Sequence, residues 1–135
     1  MIVVDTNVIA YLVLRNEHSA LADSVLETDP IWAASKPWRS EMRNVLALYV
    51  RQAVLILEDA IGGMNKAIHL IADNEYDVES SRVLELAHSS ACTVYDCEFV
   101  YVAEKPIVPL VTSDKKLLAA FPSIAVSMAD FVKCA

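Results

Sequence analysis

The chain contains very little glycine, since Gly62 and Gly63 are the only two in 135 residues. One adjacent pair cannot build a phosphate-binding P-loop or a GxGxxG dinucleotide loop, so both nucleotide-binding motifs are excluded. Glycine is also the residue that irregular turns with positive φ require. Its scarcity therefore predicts regular elements, mostly helices, joined by short turns.

Cysteine is scarce as well, and its pattern excludes two kinds of site. The three cysteines form an odd set without a CxxC pair, which is typical of a reducing cytoplasm and gives no disulfide framework. His88, Cys92 and Cys97 lack a fourth ligand and fit no structural zinc spacing. We therefore expect Cys92 and Cys97 to be ordinary thiols of the core.

Long apolar runs are missing too. No stretch approaches the roughly 18 residues that a membrane helix needs. The first residues have neither a basic region nor a cleavage pattern, and Asp5 interrupts the apolar start. We expect no membrane segment, no signal peptide and a cytoplasmic location.

Positive charge is in deficit, with 11 Lys and Arg against 18 Asp and Glu and a formal net charge of −7. A protein that binds nucleic acid mainly through charge is usually basic. The composition therefore argues against a nucleic-acid role, unless some of the acids are gathered at a metal site.

Apolar residues, by contrast, are abundant. They make up 56% of the sequence, and the mean hydropathy is +0.39. A length of 135 residues is typical of one domain, so we expect residues 1–135 to form a single domain. The apolar content is high for a small monomer and predicts that some apolar surface is covered in an oligomer or by a partner.

Strand and helix patterns alternate along the chain. "IVV" at the start is a β-branched run and predicts a buried strand, after which Thr6 or Asn7 is expected to cap the helix "VIAYLVL". Further strands are predicted at "DPIWAAS", "EYDVES", "PIVPLVTSD" and "SIAVSM". Helices are predicted at "EHSALADSVLETD", "WRSEMRNVLALYVRQA", "LEDAIGGMNKAIHLIAD", "SSRVLELAHSSA", "YDCEFVYVAEK", "KKLLAAF" and "ADFVKCA". This alternation predicts an α/β fold with a parallel sheet that is covered on both faces.

Four acids fall where an α/β protein places its chemistry. Asp5 and Asp114 each follow a predicted strand, and ligands bind outside the carboxyl ends of such strands. Glu41 and Asp96 lie in the first turns of two predicted helices, where each taken singly is also explained as a solvated charge favoured by the helix dipole. If all four carboxylates converge, their repulsion raises their pKa values unless a hard divalent cation such as Mg²⁺ or Mn²⁺ neutralises them. Such a site supports attack of water on a phosphate.

The segments around these acids resemble the four acidic motifs of PIN-domain nucleases. "VVDTN", "WRSEMRNVLALY", "YDCEFVYVAEK" and "LVTSDKKLL" occur in the order and with the approximate spacing of that family. The resemblance is greatest to the VapC-type ribonuclease toxins of prokaryotic type II toxin–antitoxin pairs, and it extends over nearly the whole chain.

The resemblance implies both a fold and a function. The fold is a PIN-like three-layer α/β/α sandwich around a central parallel sheet of four to five strands. The function is cleavage of RNA that depends on Mg²⁺ or Mn²⁺, by a protein that forms a homodimer and is silenced by a cognate antitoxin. Asn7 would be a polar neighbour of the cluster, and Ser113 would support or contact a metal-bound water. The catalytic and metal-binding cluster that the resemblance implies is Asp5, Glu41, Asp96 and Asp114.

Basic residues flank two of these acids in the sequence. Glu41 is flanked by Lys36, Arg39 and Arg43, and Asp114 is followed by Lys115 and Lys116. If they form the rim of a cleft, they hold phosphates locally while the far surface stays acidic. The other interpretation is that they are ordinary solvated charges on helices.

Two other functions stay open. Asp5 at a strand end could be the covalent nucleophile of a phosphotransferase. A haloacid-dehalogenase-like site, however, has a second acid two positions later, where this chain has Asn7. The third hypothesis is a non-catalytic partner protein that keeps a PIN-like fold, although the presence of all four acids gives no support to a loss of activity.

Overall fold

The computed structural model describes residues 1–134, within which five strands and eight helices alternate along the chain. The strands are β1 (Ile2–Val4), β2 (Trp32–Ser35), β3 (Glu75–Tyr76), β4 (Leu110–Val111) and β5 (Ala125–Val126). The helices are α1 (Thr6–Val13), α2 (Ser19–Thr28), α3 (Trp38–Arg51), α4 (Leu57–Ile71), α5 (Ser80–Ser90), α6 (Val94–Glu104), α7 (Lys115–Ala120) and α8 (Met128–Lys133).

The strands form one parallel sheet in the order β3-β2-β1-β4-β5. The predicted parallel sheet of four to five strands is therefore present, with five strands. One group of helices consists of α1 to α4, with α8 packed on α2. A second group consists of α5 and α6, of which α6 lies against β1, β2 and β4. The arrangement is a mixed α/β fold, consistent with a three-layer α/β/α sandwich.

The strand order creates a switch point beside β1. The chain runs from β1 to β2 and β3 on one side of the sheet and then returns to place β4 on the other side of β1. Val4 pairs with Val111, so the residues that follow, Asp5 and Thr112, leave the sheet side by side. The crevice at such a switch point is where open α/β sheets bind ligands.

The core is built around the central strand and α6. All three residues of β1 are buried, and Trp32 and Trp38 are completely buried where α3 follows β2. Residues 97–103 of α6 are buried on every face, which is typical of a helix enclosed by a sheet and other helices. Cys92 and Cys97 are buried free thiols, so the expectation of core thiols is confirmed.

The glycine pair lies within a continuous helix, α4, where only one of the two glycines is close to a neighbour. A Cβ added at Gly63 would lie 3.3 Å from Leu14 Cδ2, whereas one added at Gly62 would meet nothing within 4 Å. The pair therefore admits a close approach of α1 to α4 and does not end the helix.

Two local predictions need correction. Thr6 and Asn7 do not cap α1, because Asp5 occupies the cap position in an extended conformation and its Oδ1 accepts a hydrogen bond of 3.1 Å from the Val8 N–H. Thr6 is already the first helical residue, from which a side chain does not reach the free N–H groups. Strands β3, β4 and β5 have only two residues each, shorter than the segments that predict them, and each forms two register pairs with each neighbouring strand.

Within residues 1–134 no helix has the length and apolar character that crossing a membrane requires. The longest helix, α4, has 15 residues and spans roughly 22 Å, which is short of a hydrocarbon core of about 30 Å.

Candidate functional site

A small acidic pocket of about 170 Å³ lies at the carboxyl edge of the sheet. Five of the predicted site residues line it: Asp5, Asn7, Glu41, Asp96 and Asp114. They come from the end of β1, from α1, from the first turns of α3 and α6, and from the cap of α7. The structure thus brings the four acids of four separate segments to one pocket.

Asp5 is the most completely held of the four acids. It is only 6% exposed, Val8 N–H donates to its Oδ1, and the Thr112 hydroxyl donates to its Oδ2. Burial raises its pKa to about 6, and the charges of Asp114 and Asp96 add to the increase, while the two hydrogen bonds act in the opposite direction. The carboxylate position is therefore fixed, but its negative charge is only partly stabilised.

Thr112 is predicted from the sequence only as a polar residue at the carboxyl edge of a strand, and the structure makes it part of the site. Its side chain is fully buried, its hydroxyl donates to Asp5, and the same oxygen accepts a hydrogen bond of 3.0 Å from the Asp114 N–H. One hydroxyl therefore connects the ends of β1 and β4 and the acid that begins α7. The sequence signal was the hydroxyl two positions before Asp114, but only the strand register shows that it faces Asp5.

Ser113 does not lie where the resemblance implies. Its hydroxyl is 3.4 Å from the Tyr11 hydroxyl of α1, either of which is able to donate, and it does not line the acidic pocket. Because successive side chains leave an extended segment on opposite sides, Thr112 reaches Asp5 while Ser113 reaches α1.

Glu41 carries the clearest sign of a missing positive partner. Burial raises its pKa to about 7, and the charges of Asp96, Asp5 and Glu98 raise it further. The nearby Thr6 hydroxyl has a smaller opposite effect. The Glu41 Oε1 and Thr6 Oγ1 atoms are buried without hydrogen-bond partners. The Thr6 hydroxyl nonetheless lies near enough to lower the pKa of Glu41, so it is a neutral donor for this carboxylate in a pocket with excess negative charge.

Asp96 lies in the first turn of α6, where Thr93 is the cap and accepts a hydrogen bond of 3.1 Å from the Asp96 N–H. Burial raises the pKa of Asp96, and the charge of Asp114 contributes to the increase. Hydrogen bonding from Thr93 and the positive charge of Lys116 act in the opposite direction. Lys116 is therefore a cation that reaches the field of the acidic pocket.

Asp114 has a structural role in addition to its place in the pocket. Its Oδ1 accepts a hydrogen bond of 2.8 Å from the Lys116 N–H, which caps the short helix α7. Its own N–H is held by Thr112. Asp114 is thus held through its carboxylate by the backbone of α7 and through its own N–H by the Thr112 hydroxyl.

Glu98 is a further acid close to the pocket that the sequence analysis missed. It is 9% exposed on α6, burial raises its pKa, and its charge raises the pKa of Glu41. The signal in the sequence was an acid inside the apolar run "CEFVYVA". An acid there is buried because α6 is enclosed on every face.

The basic residues divide into two groups. Arg39 donates to both carboxylate oxygens of Glu75, and the Lys36 Nζ lies 2.9 Å from the Asp77 Oδ2. Both cations therefore form ion pairs with acids in or next to β3. Arg43 lines a different groove, between α3 and α4. The structure therefore does not bring Arg39 or Arg43 to the acidic pocket.

The second group is the lysine pair that follows Asp114. Lys115 and Lys116 are exposed at the start of α7. Lys115 directly follows Asp114, and Lys116 is near enough to Asp96 to lower its pKa, whereas Lys36 and Arg39 pair with acids at and after β3 and Arg43 lines another groove.

The chemistry of the pocket fits a hard divalent cation. Its polar lining consists of carboxylates, the Thr6 hydroxyl and the amides of Asn7 and Asn44, and Mg²⁺ and Mn²⁺ prefer oxygen ligands. Within residues 1–134, no three His, Cys, Asp or Glu side chains already stand as a complete ligand set. Carboxylates repel one another when no cation lies between them, which explains why they stand apart. The fit of the pocket to a cation therefore rests on its oxygen donors and on the Glu41 Oε1 that has no hydrogen-bond partner.

The fold has a counterpart among solved structures. The crystal structure of PAE2754 from Pyrobaculum aerophilum superposes on 98% of this chain and 86% of that chain, with a TM-score of 0.77 and 22% sequence identity. At this identity the likeness shows a shared fold and nothing about chemistry. No protein-family model matches the chain, and no curated protein matches it.

The raised pKa values predict that stability without metal falls as pH rises. The ordinary values of 3.8 for Asp5 and 4.5 for Glu41 become about 6 and about 7 on folding. The unfolded chain therefore loses these protons first, and stability declines from about pH 4 to about pH 7 and is level above that range. In EDTA at pH 8, the free energy of unfolding of Glu41→Gln should exceed that of the parent by about 1–2 kcal/mol, and the difference should be smaller at pH 5.

Urea unfolding from pH 5 to pH 8 measures this effect. The range avoids the acids whose pKa values are lowered by Arg39 and Arg82, Glu75 and Glu104, since their contribution is lost only below about 4.5. Glu58→Gln is the matched control, because Glu58 is an exposed acid in the first turn of α4. If Glu41→Gln shows no more gain at pH 8 than Glu58→Gln does, the carboxylates do not interact as described.

The second prediction concerns the junction formed by Thr112. Thr112→Val keeps the shape of the side chain but leaves a buried oxygen of Asp5 and the Asp114 N–H without their partner. We expect it to lower the free energy of unfolding by about 1–3 kcal/mol. Thr112→Ser keeps the hydroxyl, so its free energy of unfolding should fall by less. Urea unfolding at pH 7 measures both variants. A valine variant as stable as the serine variant would show that the hydroxyl does not hold the junction.

Proposed function

We propose that the chain is a metal-dependent endoribonuclease with a PIN-like fold, and that it acts in the cytoplasm as the toxin of a type II toxin–antitoxin pair. One observation carries the proposal: the four acids that the motif resemblance implies, from four segments of the chain, line one pocket at the switch point of the sheet. The oxygen donors and the unpaired Glu41 oxygen of that pocket support a cation as its occupant.

Each residue of the pocket has a part in the proposed reaction. Asp5, Glu41, Asp96 and Asp114 would hold Mg²⁺ or Mn²⁺, which when bound stabilises negative charge on a phosphate and lowers the pKa of water. Thr112 holds the Asp5 carboxylate in place and Thr93 holds the first turn that carries Asp96. Glu41 lines the same pocket and its pKa is raised to about 7, so its carboxylate would accept a proton from the attacking water.

The substrate we propose is RNA, despite the net charge of −7. Lys115 and Lys116 are the cations placed next to the pocket, and Lys116 is close enough to Asp96 to lower its pKa. They would contact the RNA backbone on either side of the bond that is cleaved. During cleavage, the oxygen of a water molecule forms a bond to phosphorus. The bond between phosphorus and one ester oxygen breaks, and that ester oxygen takes up a proton.

The phosphotransferase alternative gains no support from the geometry of Asp5. A carboxylate nucleophile must approach phosphorus in line, which needs an accessible oxygen, whereas binding a cation needs only a remaining lone pair. Asp5 is buried, and both of its oxygens already accept hydrogen bonds, from Val8 and from Thr112. A non-catalytic partner protein is distinguished from the proposal by the cleavage assay below.

The proposal includes partner proteins, namely a second copy of the chain and an antitoxin. Large apolar side chains are exposed in and around the α3–α4 connection, and such a cluster favours coverage by protein. They are Leu48, Ile56, Leu57 and Ile61, exposed by 46% to 62%. An antitoxin that silences the site would place an Arg or Lys among the acids. Light scattering should detect a dimer or a copurifying partner, and a monomer without either at high concentration would exclude this part of the proposal.

The central prediction concerns the acids. Asp5→Asn, Glu41→Gln and Asp96→Asn should each abolish RNA cleavage in Mg²⁺ or Mn²⁺, because each removes charge that holds the cation. Asp114→Asn should have a milder effect, since the Asp114 side chain caps α7 by accepting from the Lys116 N–H, a bond that an asparagine oxygen also accepts. The assay uses a panel of RNAs, with EDTA as the metal-free condition and protein freed from any copurifying chain.

A matched control is Asp73→Asn, since Asp73 is an exposed acid immediately after α4 and does not line the acidic pocket. It should cleave as the parent does. Circular dichroism confirms that the variants fold. Full activity in the Asp5 and Asp96 variants, or cleavage that persists in EDTA, would reject the nuclease proposal.

A further inference from the structure

A second recess lies next to the acidic pocket and has different chemistry. It has a volume of about 440 Å³ and is lined by Tyr11, Leu14, Arg15, His18, Tyr49 and Leu55, among others. This volume is in the range of small-ligand sites. Its walls combine aromatic rings with apolar side chains, whereas the walls of the acidic pocket are mainly polar.

The two recesses follow one another along the same pair of helices. On α1, Asn7 lines the acidic pocket and Tyr11 lines the second recess. On α3, Val45 lines the acidic pocket and Tyr49 lines the second recess. In both helices the step is four residues, which is one turn on the same face and about 6 Å along the axis. A strand that crosses the acidic pocket along these helices reaches the second recess next.

A side-chain contact links the two sites directly. The Tyr11 hydroxyl lies 3.4 Å from the Ser113 hydroxyl, and Ser113 is the residue between Thr112 and Asp114. This contact explains why Ser113 faces away from the acids. It also places the Tyr11 ring at the boundary between the two recesses.

The aromatic wall is ordered before any ligand binds. The rings of Tyr11 and His18 lie with their centroids 4.5 Å apart. The loop between α1 and α2 holds this pair, because the His18 N–H donates to Asn16 Oδ1 and the Asn16 N–H donates to the buried hydroxyl of Ser19. A preformed wall lowers the ordering cost of binding.

The charge of the recess argues for a neutral ring and against a phosphate. Arg15 is its only arginine, and both of its terminal nitrogens are bonded to the carboxylate of Asp23, at 3.0 and 2.7 Å. Glu17 adds a further negative charge, and its Oε1 lies 3.6 Å from the His18 Nε2. The recess therefore offers aromatic faces and hydrogen-bonding groups without net positive charge, which suits a planar heteroaromatic base.

We propose that this recess binds a nucleobase of single-stranded RNA, adjacent to the phosphate that lies at the acidic pocket. The inference rests on the proposed ribonuclease function and adds a subsite to it. The base contacts the rings of Tyr11, Tyr49 and His18, and its neighbouring phosphate is then positioned toward the acids. Recognition of the strand thus depends on a base as well as on the cation.

The first test measures binding without cleavage. Adenosine and uridine at millimolar concentration are added to the ¹⁵N-labelled chain, with ribose 5-phosphate as the probe that lacks a base. The nucleosides should shift the resonances of residues 11–18 and Tyr49, and ribose 5-phosphate should not. His18→Ala should weaken nucleoside binding by about tenfold, since it removes one stacking ring. His88→Ala is the matched control, because His88 is an exposed imidazole on α5, and it should bind as the parent does.

The second test uses cleavage of short single-stranded RNAs with one abasic position moved along the strand. The missing base should reduce cleavage at one neighbouring bond, and His18→Ala should remove that dependence. If nucleosides bind but no RNA is cleaved, the recess stands and the ribonuclease function fails. If RNA is cleaved while nucleosides cause no shifts, or ribose 5-phosphate shifts the same residues equally, the subsite is wrong. Shifts caused only by a copurifying protein would identify a protein-docking surface and would also overturn the proposal.

Discussion

A buried carboxylate at the end of the central strand is the constraint on which the site depends. Asp5 leaves β1 beside the end of β4, and its two oxygens bind different elements: Oδ1 receives the Val8 N–H that starts α1, and Oδ2 receives the hydroxyl of Thr112. Thr112 also holds the N–H of Asp114. Burying a carboxylate is costly unless its oxygens are hydrogen-bonded, so β1, α1, β4 and α7 are joined at one point.

The distribution of arginine explains why the pocket keeps its excess negative charge. Arg15, Arg39 and Arg82 make close pairs with Asp23, Glu75 and Glu104, all outside the acidic pocket. Within residues 1–134 the acids of the pocket make no ion pair, and three of them have raised pKa values. Burial is the first cause in each case, and mutual repulsion adds to it. A cation from solution is the partner that we propose for this group of carboxylates.

The two proposals together give an account of how an acidic protein would recognise RNA. A strand would be held by a cation at the acids, by Lys115 and Lys116 at its phosphates, and by aromatic rings at one base. These contacts are local, so they need no broad basic surface and are compatible with a net charge of −7. Two of the exposed apolar side chains of α4, Leu57 and Ile61, lie with Arg43 in a groove separate from both recesses, which leaves that groove for a protein partner.

The sequence by itself determined the alternation of strands and helices and the elements on which the four acids lie, because these follow from local periodicity and from polar residues at the ends of apolar runs. Strand lengths, the cap of α1 and the orientation of Ser113 were not predictable in this way. Only the tertiary structure decided that Thr112 faces Asp5, that Glu98 lies close to Glu41, and that Arg39 pairs with Glu75, 36 residues away. These contacts depend on which strands become neighbours and on how each helix is rotated against the sheet. Those choices minimise the free energy of the whole packed core, and no short segment contains that information.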